Sequence, residues 1–226
     1  MATPTLRAAE GVHQRAAWAG VRIELATIGW MTLEAAVAIT AGVLARSVLL
    51  TAFGLDSVLE LVTGGALLWR LATQARGAPL ARVEAAEQRA AWIAGIGLAL
   101  LCIYVVVSSV ASLFAGIHAH ESWAGIALAV AAVLLMPLLA WRKRIVAAQL
   151  GSGALRADAA CSITCAYMGG TLLVGLALNA AFGWWWADSL AALALLYWLV
   201  PEAREALEGA QTGRGACTCE DDHCDD

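Results

Sequence analysis

Two stretches of this chain, residues 90–117 and 123–141, contain no charged residue. A helix needs about 20 apolar residues to cross a hydrocarbon core about 30 Å thick. In lipid every backbone N–H and C=O has to find its partner inside the protein, so runs like these fold as helices. Composition agrees, because 61% of the residues are hydrophobic and 14% charged, against about a quarter charged in a soluble domain. The chain reads as an all-α membrane protein, a bundle of six transmembrane helices. The spans are predicted at about 24–44, 48–69, 92–117, 123–141, 155–182 and 184–200. Phe182-Gly183-Trp184 reads as a tight turn between the last two.

Basic residues set the expected orientation. Arg7, Arg15 and Arg22 precede the first span, and Arg70, Arg76, Arg82 and Arg89 lie between the second and third. Arg142, Lys143, Arg144 and Arg156 separate the fourth from the fifth, and Arg204 and Arg214 follow the sixth. Only Arg46 falls on the other side. Positive charge stays cytoplasmic, so both termini are expected in the cytoplasm. The organisation is then a cytoplasmic segment 1–22, a membrane domain 23–200 and a cytoplasmic tail 201–226. The polar start lacks a short apolar core, so the first long helix is expected to act as the insertion signal. Trp123, Trp141 and Trp184 to Trp186 fit an interfacial belt. Gly64-Gly65 and Gly169-Gly170 suit close helix approach. A bacterial cytoplasmic (inner) membrane is the expected location, and no nucleic-acid partner is expected.

Acids and thiols inside the apolar runs carry the chemistry. An ionised carboxylate near the middle of a bilayer costs about 2.5–3.5 kcal/mol on insertion scales, so such residues point to function. Asp56 and Glu60 stand at i and i+4 and share a helix face. Two carboxylates that close cannot both stay ionised in a low dielectric, so they share a proton or bind a cation. Asp158, Cys161 and Cys165 share a face of the fifth span; thiolates suit zinc and softer ions, and metal displaces the thiol proton. The same two cysteines also fit a bland reading as small buried side chains, the reading that suits Cys102. Glu34 and Asp188 are further buried acids, fit either to line an ion path or relay protons, or to hold helices together. In the tail, Cys217, Cys219, His223 and Cys224 make a metal-capture candidate, set against a merely acidic, solvated and disordered segment. His118, His120 and Glu121 sit in an outer loop.

At these residues the chain resembles the membrane domain of the cation diffusion facilitators. Gly54-Leu55-Asp56-Ser57-Val58-Leu59-Glu60 is similar to that family's acidic pair in the second span. Leu155-Arg156-Ala157-Asp158 is similar to its Arg-Ala-Asp opening of the fifth, and Trp186-Ala187-Asp188-Ser189-Leu190 to the start of its sixth. The resemblance covers about residues 27–207. It implies four metal ligands, two from each of spans two and five. Asp56 and Glu60 match the first two, whereas Cys161 and Cys165 fall where the family has His and Asp. It also implies a small branch without the family's cytoplasmic metal-sensing domain, and a homodimer.

The expected function is efflux of a divalent transition metal, zinc first and cadmium or another soft ion next, by exchange for protons. Metal would be cargo, with no organic cofactor and no enzymatic reaction. Two rivals stand beside it. One is a membrane thiol oxidoreductase using Cys161 and Cys165, and the other a metal-binding membrane sensor that transports nothing.

Overall fold

The structure, a computed structural model, describes residues 4–76 and 81–212, with side chains over 14–76 and 88–211. Among these residues it is built of six helices: α1 (Pro4–Ala45), α2 (Val48–Ala75), α3 (Ala81–Ala115), α4 (Trp123–Leu150), α5 (Gly153–Phe182) and α6 (Trp185–Thr212). Five of them, α1 to α5, are long and apolar enough to cross a membrane. In α6 the tryptophans, Tyr197 and Asp188 dilute the apolar stretch.

Short polar signals start and stop the helices. Ser47, Ser122 and Ser152 cap α2, α4 and α5, each hydroxyl accepting from the backbone N–H three residues on. That bond satisfies one of the donors left orphaned at a helix start. Gly151 and Gly183 close α4 and α5 at φ 60° and 66°, in the left-handed region that glycine enters without strain. The resulting turns are short, so consecutive helices run antiparallel.

The helices close into a ring. α1 packs on α2 and α4, α4 on α5, α5 on α6, α6 on α3, and α3 on α2; α2 also reaches across to α5 and α6. The apolar core is built from Leu49, Leu50 and Phe53 of α2, Val105 of α3, Leu172 of α5, and Leu195 and Leu199 of α6. The outside is apolar too: Phe114, Leu44 and Leu134 are 90%, 76% and 68% exposed. Such a surface suits lipid and not water. α3 and α6 approach tightly at Gly95, where a Cβ would lie 2.9 Å from the Leu207 side chain and 3.0 Å from its backbone nitrogen. In the two glycine pairs only one member meets a neighbour. A Cβ on Gly64 would sit 3.0 Å from Glu24 Oε1, and one on Gly169 3.3 Å from Ala132, while Gly65 and Gly170 face open space.

Both expected boundaries, at 22–23 and 200–201, fall inside helices. α1 continues N-terminal of residue 22 because its buried stripe runs on through Val21, Ala17 and Ala16, and Gln14 Nε2 donates to the Ala75 carbonyl at 3.1 Å. α6 runs through Pro201 to Thr212. An interior proline costs about 3 kcal/mol. Here the buried face of Leu199, Ala203, Ala206 and Ala210 keeps α6 on its neighbours, and Gln88 Nε2 donates to the Ala210 carbonyl at 3.1 Å.

Candidate functional site

Polar groups form a string through this apolar bundle. At the end with the α1–α2 and α5–α6 turns, Asp188 of α6 caps α2. Its carboxylate accepts from Ser47 Oγ and from the amides of Val48 (2.9 Å) and Leu49 (3.4 Å). One level deeper, Glu34 of α1 accepts from Trp30 Nε1 and Ser57 Oγ, both at 2.7 Å. Both acids are fully partnered, so the geometry gives each a helix-joining role.

The middle of the string is different. Asp56 is 2% exposed on α2, and its Oδ1 has no hydrogen-bond partner. One turn on, Glu60 Oε1 accepts from the thiol of Cys165 on α5, while Glu60 Oε2 is buried without a hydrogen bond. Glu202 of α6 adds a third carboxyl group, lining the same cavity as Glu60. Its Oε2 is likewise buried and unbonded. Glu60, Cys165 and Glu202 line a cavity of about 30 Å³ together with Met31, Leu98 and Met136. A water needs about 10–15 Å³ measured in this way, so one small ion fits. Buried carboxylate oxygens without hydrogen bonds call for a proton, a water or a cation.

Towards the α4–α5 turn the cavity ends on a buried ion triad. Lys143 Nζ of α4 lies 3.2 Å from Glu24 Oε2 of α1, pairs closely with Asp158 Oδ2 of α5, and donates to Ser162 Oγ at 3.3 Å. Lysine and glutamate are 0% and 1% exposed, and Asp158 is 19% exposed.

Two expectations change here. Lys143 is buried and does not stand with the exposed arginines, because two carboxylates draw it inward. Asp158 lines the same cavity as Glu60, and there it is paired with the Lys143 ammonium. Cys161 lines the same cavity but is disulfide-bonded, whereas Cys165 and Cys102 are free. The two cysteines of α5 are therefore not bonded to one another, and a disulfide sulfur carries no thiolate for a metal. Among the described residues, no group of three or more His, Cys, Asp and Glu side chains is gathered to hold a metal ion in this conformation. Cys102 packs at the edge of the apolar core, as a small hydrophobe does. His118 packs against Trp185 with ring centroids 4.8 Å apart and the rings tilted by 33°. Cys217, Cys219, His223 and Cys224 lie outside the described residues.

Sequence reasoning missed Glu24, Lys143 as a buried group, and Glu202. A signal existed for Glu24. It stands at 24, 27, 31, 34 helical spacing with Thr27, Met31 and Glu34, the face that is buried. Lys143 is the only lysine in a chain whose other basic residues are arginine. Glu202 follows Pro201, and its place in the bundle depends on the helix surviving that proline. No family model matches the sequence, and no curated protein matches it at a significant level.

Proposed function

We propose that this chain is a secondary transporter that exports a divalent transition metal in exchange for protons. The observation that carries the reading is the group of buried, unbonded oxygens on Asp56 and Glu60 beside the free thiol of Cys165. The thiol of Cys165 donates to Glu60 Oε1. A cation would replace that proton, drawing in Asp56 from one turn away, so uptake of metal and release of protons are one event. The mixed oxygen and sulfur donors favour zinc and cadmium over harder ions. Cys161 enters the ligand set only as a reduced thiol. The resemblance to the cation diffusion facilitators supports the same reading, and with it a homodimer.

α6 counts as the sixth span in this proposal. Arg15, Arg22, Arg70, Arg76, Arg89, Arg142, Arg144, Arg156 and Arg204 belong to the end with the α4–α5 turn, and Arg46 to the other. That end is the cytoplasmic one by the positive-inside rule, with both termini there, in a bacterial inner membrane.

The test is metal and proton flux in proteoliposomes under reducing conditions, offering zinc, cadmium, manganese and cobalt in turn. Coupled zinc or cadmium flux that disappears in Asp56→Ala and Glu60→Gln is expected. Binding without flux of any ion would leave a sensor instead, and thiol oxidation of a partner without metal flux would leave an oxidoreductase.

A further inference from the structure

We propose that the Glu24–Lys143–Asp158 triad is the closure of the ion path at the α4–α5 turn, with the Lys143 ammonium standing where an entering cation would pass. The inference rests on the transport reading for what passes, and on geometry alone for the closure.

Four observations converge on it. The triad joins three helices, α1, α4 and α5, which adjoin one another in the ring. Its members line the same cavity as Glu60 and Cys165, so they are the wall between that cavity and the α4–α5 end. From Asp158 to Cys165 the helix rises about 10 Å, at 1.5 Å per residue. The ammonium, held by Asp158, therefore lies about two helical turns from the thiol along α5, on the side where the arginines cluster. Finally, Lys143 is fully buried in a chain that otherwise uses arginine. An ammonium on a four-carbon stem is a compact charge that swings aside, whereas a guanidinium fork locks its partners.

The chemistry follows from charge. Two carboxyl groups hold one ammonium in the path of a second cation approaching from outside. The fixed ammonium repels that cation at short range, in a setting where little water screens it. Passage requires the lysine to leave both carboxylates, which then face the incoming ion. The triad thus excludes cations while closed and presents two acidic groups once open. Gly64 supports this arrangement by leaving room for the Glu24 carboxylate, 3.0 Å from where its Cβ would be.

Thiol accessibility reads the closure without any metal. In a Cys102→Ser background, a membrane-impermeant maleimide is added to vesicles from the α4–α5 side, and Cys165 modification is followed by peptide mass spectrometry. Wild type should label slowly. Lys143→Met should label at least about tenfold faster, the factor that about 1.4 kcal/mol of lost closure gives, and Lys143→Arg should stay slow. The charge-free combination Glu24→Gln, Lys143→Met, Asp158→Asn avoids stranded buried charges and should also label fast. Unchanged labelling in both Lys143→Met and this combination, with both proteins monodisperse, overturns the closure. Normal metal flux with labelling indifferent to Lys143 sinks the closure alone. Lysine-dependent protection without metal flux sinks the transport reading alone.

Discussion

Asp188 offers the sharpest separation of architecture from ion path. Its carboxylate is 2% exposed and holds the start of α2 from a different helix, accepting from Ser47 Oγ and the Val48 and Leu49 amides. Asp188→Ala removes all of these bonds at once. A buried donor left unsatisfied costs about 1–3 kcal/mol. Losing a negative charge at a helix start costs a further 0.3–2 kcal/mol or so. Part returns, because Ser47 still accepts from Leu50 N at 3.0 Å. The expected loss is about 2–4 kcal/mol for alanine and about 1 kcal/mol for Asp188→Asn, which keeps one acceptor for the helix end. Reversible unfolding in mixed SDS micelles, followed by tryptophan fluorescence, measures it. Metal flux per folded molecule should be unchanged. Flux abolished in Asp188→Asn with stability intact would refute the reasoning and return Asp188 to the ion path.

Other perturbations probe the remaining links. Gly95→Leu should destabilise the α3–α6 contact by about 1–3 kcal/mol or more, as overpacking does, whereas Gly65→Leu, facing open space, should unfold at the wild-type SDS fraction. Glu34→Gln keeps one acceptor for Trp30 and Ser57 and should retain flux, with a stability loss near 1 kcal/mol by the same unfolding assay. Glu60→Gln should weaken cadmium binding by about 100-fold, roughly 2.7 kcal/mol, in isothermal titration of the reduced protein. Cadmium should raise an ultraviolet thiolate band that Cys165→Ser removes; an unchanged band would take Cys165 out of the ligand set.

The sequence shows the helices plainly, because uncharged runs such as 90–117 admit no other structure in lipid. Helix ends are less legible. Pro201 reads as a stop, yet α6 continues because its buried alanines keep contact, a tertiary effect that local propensity does not contain. The site divides the same way. Asp56, Glu60 and Cys165 are visible as residues that should not be in lipid, and two of them do meet. Pairing across helices is not visible: nothing in the order of residues ties Lys143 to Glu24, 119 positions earlier, and basic residues near a span end read first as orientation signals. Asp158 therefore reads with its neighbours on α5 and not with the ammonium that holds it.

The lengths of the helices have a consequence for how the molecule meets its surroundings. α1 has 42 residues, about 63 Å at 1.5 Å each, twice the thickness of a bilayer core. At the opposite end the chain turns around within 46–47, 116–122 and 183–184. The described residues are therefore lopsided, with long helix ends on one side of the apolar bundle and only short turns on the other. A soluble partner would find purchase on the side with the long helix ends, whereas the other side offers little more than a rim of turns.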